Sequence, residues 1–267
     1  MGSANVSGNS LTIGTGSTVE FNKAKNGQFA NNTAVAGSKV NVTLAANSAV
    51  NLNGDGSLGD IKKSGDGTAV VLGGKNGTQT VGVVDVATFN QLGGNVTTTG
   101  AITATDISVK GVLKAGGDVT TTTLNIAGGA INAAGKDITV SGADSADIFG
   151  DVVAGSLSLS GGATIAGGAD VNLGTLNLSG GKILNVGRDG DDGSTATVFT
   201  DKLVMGAGST IFVDPSYDDH ATVLATKVLT DTSASDVNVS NGNIKVGKNA
   251  AFGIGFDQAE FNSVMAN

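Results

Sequence analysis

The chain contains no cysteine and no tryptophan, and it has one proline, one tyrosine and one histidine. Without cysteine there is no disulfide framework, no thiolate metal site and no cysteine nucleophile. Only 14% of the residues are charged and 4% aromatic, so neither a solvated charged tail nor an aromatic-rich core describes the chain. No window approaches the roughly 18 consecutive apolar residues that span a bilayer as a helix, so no direct membrane insertion is expected. The first twenty residues lack a basic n-region and an apolar h-region, and no signal peptide is expected there. Met1-Gly2-Ser3 reads as a cloning remnant.

What is present is glycine, 43 residues in 267, well above the usual level of about 7%. No G-X-Y period accompanies it, which excludes collagen. Hydrophobic residues make up 39%, chiefly Val, Leu, Ile and Ala, which argues against simple disorder. The composition predicts a folded chain with many turns and a thin core. The net charge is −8 and the sequence pI about 4.5. Lys and Arg are scattered without a patch, and an acidic surface repels phosphate backbones, so nucleic acid is excluded as a partner.

Short alternating runs punctuated by Gly, Asn and Asp dominate the sequence. Examples are Leu11-Thr12-Ile13, residues 40–44, Val50-Asn51-Leu52, Leu124-Asn125-Ile126, Ile138-Thr139-Val140, Leu157-Ser158-Leu159, Leu176-Asn177-Leu178 and Ile244-Lys245-Val246. Each places aliphatics on one face and Ser, Thr, Asn or Lys on the other, the period-two pattern of a half-buried strand. The glycines between them fall where turns need positive φ. Helical periodicity is nearly absent. The exception is residues 257–267, where Asp257 and Glu260 form a capping box before Phe261, Val264 and Met265, or else a frayed coil begins.

Three runs share one form: Leu124 to Gly129, Leu157 to Gly162 and Leu176 to Gly181. Leu157 and Leu176 are 19 residues apart, Leu124 and Leu157 are 33. Spacings of about 20 residues match one coil of a parallel β-helix, and an inserted loop explains the wider gap. A β-sandwich competes, but it favours longer strands and buried aromatics. The expectation is an all-β, right-handed parallel β-helix over residues 4–267, a single solenoid of roughly a dozen coils and about 60 Å in length.

Residues 61–74, Ile-Lys-Lys-Ser-Gly-Asp-Gly-Thr-Ala-Val-Val-Leu-Gly-Gly, resemble the passenger-associated repeat of type Va bacterial autotransporters. That repeat has a lysine, then Gly-x-Gly-Thr, then an alternating apolar strand ending in Gly. Asn76-Gly77-Thr78 and residues 81–86 loosely continue it, and Ala69 stands where Leu is more usual. The match spans about 25 residues. The resemblance implies a β-helix displayed outside the cell, exported through an outer-membrane barrel. No tail of amphipathic strands ending in an aromatic is present, so a passenger fragment is expected.

Candidate chemistry is sparse. His220 is the sole histidine and follows Asp218 and Asp219, but no Gly-Asp-Ser-Gly elbow accompanies it, and a polar surface loop is expected. Carbohydrate cleavage needs paired carboxylates, usually with aromatic platforms. Here Asp55, Asp60, Asp66, Asp144 and Asp189 sit in Gly- or Asn-rich surroundings that favour turns. The loop Gly187 to Gly193 carries Asp189, Asp191 and Asp192, oxygen ligands for a hard cation such as Ca²⁺, but lacks the glycine and glutamate of an EF-hand. A solvated loop is the competing reading. Residues 73–77 lack the Gly-Lys-Ser/Thr of a phosphate loop and read as a turn. No catalytic, cofactor-binding or metal-binding residue is therefore assigned.

The functional expectation is a non-enzymatic surface passenger segment, an adhesin or self-associating rod whose partner is another cell's copy or a host or matrix ligand. An inert spacer, a carbohydrate-active β-helix enzyme and a surface-coat component are the alternatives.

Overall fold

A computed structural model describes residues 4–7, 10–21, 40–73, 77–187, 195–213, 220–226, 237–238, 243–246 and 250–255. The described residues are all β, with no helix, and their strands stack in parallel as a β-solenoid. The expected β-helix is therefore the fold. The expected helix or coil at 257–267 lies outside the described residues. The chain divides into two compact units, Met1–Lys136 and Asp137–Asn267.

In the first unit each turn contributes strands to three ladders. The first ladder runs through Ser10–Ile13, Asn41–Leu44, Ile61–Lys63 and Val84–Asp85, then 102–104 and 119–121. The second runs through Thr18–Phe21, Ala49–Leu52, Ala69–Leu72 and Thr88–Gln91, then 106–109 and 123–126. The third takes Gly56–Ser57, Thr78–Val81, Asn95–Thr98 and Val112–Lys114, then 130–132. At its N-terminal end Ala4–Ser7 folds back antiparallel on Ser10–Ile13, so the only antiparallel pair among the described residues covers that strand's edge.

Alternation explains the core. In register, Leu11, Val42, Ile61, Val84, Ile102 and Val119 form one inward column, all buried. Val50, Val70, Phe89, Ile107 and Leu124 form another, with Phe89 the largest fully buried side chain. Stacked β-branched and γ-branched residues suit an interior only a few side chains wide, because each fills the space above its equivalent about 4.8 Å away.

The second unit repeats the plan. Its ladders include 152–154, 171–173 and 198–200; 156–159, 175–178 and 202–205; and 163–165, 184–186 and 211–213. Leu157 pairs directly with Leu176, so the 19-residue spacing read from the sequence is one turn. Later turns are longer: Leu176 pairs with Leu203, and Ile211 with Ile244.

Corners depend on glycine for two separate reasons. Gly67 has φ +68°, a conformation that a side chain disfavours. Gly65 is needed for space, because a Cβ there would lie 2.6 Å from the Ala46 backbone nitrogen in the turn beneath. Both belong to the stretch that resembles the passenger repeat. Asn47, the one non-glycine residue with positive φ among the described residues, occupies the equivalent corner one turn earlier.

Candidate functional site

Two of the aspartates expected at turns, Asp55 and Asp60, are bonded through their carboxylates to the neighbouring turn, whereas Asp144 lies in a strand and not at a turn. Asp55 Oδ1 accepts the Thr78 N–H at 2.8 Å, and Asp60 Oδ1 accepts the Val83 N–H at 2.9 Å. Asn41 Oδ1 accepts the Asp60 N–H at 2.8 Å, so Asn41 and Asp60 link successive corners. The Val83 N–H, with Lys62 Nζ 3.0 Å from Oδ2, holds the Asp60 carboxyl below its ordinary pKa. Asp66 offers its carbonyl to the Asn47 N–H at 2.7 Å, and Asp144 begins the strand Asp144–Leu159. Asp55 and Asp60 thus brace adjacent turns.

The remaining chemical candidates fare differently. Residues 188–194, which carry Asp189, Asp191 and Asp192, lie outside the described residues, as do 214–219. His220 begins the strand His220–Thr226, where its backbone pairs with Thr195. Gly73 takes the left-handed conformation at φ +66°, and 74–76 lie outside the described residues. Among the described residues no three His, Asp or Glu side chains converge on a point where a metal ion could sit.

The feature that the ladders build is a set of outward columns. In the first unit Thr12, Thr43, Lys62, Asp85, Thr103 and Thr120 stand in register on the first ladder, each exposed or half-exposed. Lys63 Nζ lies 3.4 Å from Asp85 Oδ1 of the next turn, tying the two rungs across this face. On the third ladder Ser57, Thr80, Thr97, Lys114 and Asn132 form a second column. On the second ladder Asp106 accepts a hydrogen bond from Thr123 of the following turn. Hydroxyl and amide groups recur at the strand spacing of about 4.8 Å, a flat and regularly spaced array of donors and acceptors.

Interior polar residues are the part of the architecture that the sequence pattern misses. Gln79 is fully buried; its Nε2 donates to Leu52 O at 2.8 Å and Gly54 O at 2.7 Å, and its Oε1 accepts the Gly73 N–H at 2.8 Å. Gln91, also buried, stands in register between Leu72 and Val109. Its Nε2 donates to Gly93, Gly94 and Val112 carbonyls, while Oε1 has no partner. The parity of each glutamine within its strand was a usable signal, since both fall at inward positions.

No protein-family model, curated protein or solved structure compared with the chain matches it.

Proposed function

We propose that this chain is a non-enzymatic passenger segment of the autotransporter kind, displayed outside a bacterial cell, where it adheres or self-associates through its outward polar columns. The observation that carries the reading is the column Thr12, Thr43, Lys62, Asp85, Thr103 and Thr120, aligned by strand register and open to solvent. One hydroxyl contributes little on its own. A row repeated on many displayed copies sums weak hydrogen bonds into avidity. The resemblance of residues 61–74 to the passenger repeat supports the cellular setting. Ala69–Leu72, the alternating apolar stretch after Gly65-Asp66-Gly67-Thr68, is a strand with Val70 and Leu72 buried.

A mixed-cell settling assay tests the proposal. Cells displaying the chain carry one colour and bare cells another. Clumps made only of displaying cells are expected if the ligand is another copy, and clumps that capture bare cells if it is a surface ligand. Displaying cells that settle no faster than bare cells, and capture none, would leave the chain an inert spacer.

A further inference from the structure

Two exposed apolar spots carry rims of opposite charge. In the first unit, Leu92 is 55% exposed and Val112 48%. Gln91 pairs with Val109, so the residues that follow, Leu92 and Lys110, are neighbours on adjacent turns. The Val112 N–H donates to Gly94 O at 2.9 Å, which brings Val112 to the same corner. In Val112–Lys114 the ends face outward and Leu113 inward. Lys110 and Lys114 therefore flank Leu92 and Val112, and both lysines are exposed. No Asp or Glu occurs in residues 91–95, 109–114 or 126–132, which make up this corner and its neighbours.

In the second unit, Phe149 is 39% exposed and Val153 38%. The strand turns a corner here, Asp147 pairing with Thr164 on one ladder and Val153 with Asn172 on another. Around that corner Asp147, Phe149, Asp151 and Val153 are exposed, while Ile148, Val152 and Ala154 are buried. The next turn adds Asp170, whose N–H donates to Asp151 Oδ1 at 3.2 Å. Val153 stands in register with Asn172, and Asn172 with the half-exposed Phe199. No Lys or Arg occurs in residues 144–154, 163–173 or 195–200. Ser156 Oγ donates to Asp137 Oδ1 of the preceding turn, which sets the half-exposed Lys136 beside Gly155 at the edge of the spot.

We infer that these spots are the two halves of a contact between separate copies of this chain, Leu92 and Val112 of one molecule against Phe149 and Val153 of another, with Lys110 and Lys114 opposite Asp147, Asp151 and Asp170. The inference rests on the self-association reading above and assigns it residues. A spot set against itself would oppose lysine to lysine or aspartate to aspartate, so the complementary pairing is the favoured one. Such a contact is heterologous. Each molecule carries both halves, so association closes into a pair or ring, or extends into chains, according to how the two halves are disposed. Few side chains are involved on each side, so a single contact is weak and densely displayed copies supply the avidity.

The test is sedimentation velocity of the full purified chain over a concentration series at low and high ionic strength. The wild type should show a concentration-dependent rise in sedimentation coefficient that salt weakens. K110E/K114E alone and D147K/D151K alone should each associate at least about tenfold more weakly. An equimolar mixture of the two should associate again, because each reversed spot then meets its complement. Leu92→Ser and Phe149→Ser should weaken the wild-type association with no change of charge. Circular dichroism confirms that each variant keeps its β-structure. A wild type that stays monomeric at every concentration, a charge-reversed variant that associates like wild type, or a mixture that stays monomeric would overturn the contact. Displayed on cells, wild-type clumping that survives charge reversal sinks this contact and leaves the self-association reading standing. Absence of clumping in the wild type sinks the self-association reading itself.

Discussion

The substitution Gln79→Leu should be costly, and Gln91→Leu, in the next turn, nearly free. In the regular arrangement at this corner, the Leu92 N–H donates to Leu72 O of the turn beneath at 3.0 Å. One turn earlier the equivalent groups are the Gly73 N–H and Leu52 O, and the Gln79 amide is inserted between them, accepting from the first and donating to the second. Its second donation, to Gly54 O, ties down the residue beyond the bend. Leucine has nearly the same volume, so no cavity opens, but three buried backbone groups lose a partner. At roughly 1 to 2 kcal/mol each, the loss is about 3 to 6 kcal/mol, offset by roughly 2 kcal/mol from the more apolar side chain. A net loss of about 1 to 4 kcal/mol is expected.

Gln91→Leu differs on each count. Its bonds to the three carbonyls are longer, 3.0 to 3.3 Å. Gly94 O keeps the Val112 N–H when the glutamine is removed. The substitution also eliminates Oε1, a buried acceptor without a partner, and continues the aliphatic column between Leu72 and Val109. A change within about 1 kcal/mol of zero is expected. Guanidinium unfolding of both variants measures the energies, and amide hydrogen exchange at Gly73 reports the local effect, which should rise in Gln79→Leu alone. Equal losses in the two variants, or none in Gln79→Leu, would refute the assignment of Gln79 as the bridge between turns.

Two further outcomes follow from the corners. Gly65→Ala should cost about 1 to 3 kcal/mol, since the obstacle is the Ala46 backbone and not a flexible side chain; thermal unfolding measures it, and an unchanged melting temperature would mean the corners stack more loosely than described. The lowered pKa of Asp60 gives stabilisation that is present at neutral pH and is lost as pH falls below the ordinary carboxylate range toward the lowered value. Asp60→Asn keeps an acceptor for the Val83 N–H but no charge, so its melting temperature should fall less between neutral and acid pH than the wild type's, by a small margin because the side chain is 38% exposed.

The fold was legible because a solenoid is built from local alternation. Leu157-Ser158-Leu159 and Leu176-Asn177-Leu178 declare both their inward faces and, by their spacing, the length of a turn. Strand length was less legible. Short runs such as Leu124-Asn125-Ile126 lie inside the 22-residue strand Val119–Val140, because the pairing continues round corners that carry no Pro or Asn-Gly break. The second use of glycine was hidden as well. Positive φ is a local property that turn chemistry announces, whereas the need for Gly65 arises from Ala46, which belongs to a different turn.

The same distinction governs the surface. Parity marks Thr12, Thr43, Thr103 and Thr120 as outward residues one strand at a time, but whether they form a column depends on register, and register depends on turns of unequal length. Thr12 and Thr43 are separated by 31 positions, Thr103 and Thr120 by 17, yet the ladder sets each pair side by side. Leu92, Lys110 and Val112 show the consequence most sharply. Read along the chain, they are a lone leucine before two glycines, a lysine and a strand's first valine. Stacked at one corner, they are an apolar spot with a basic rim. In such a fold the residues that could recognise a partner are near neighbours across the ladder and strangers along the sequence, so a binding surface leaves no contiguous motif to read.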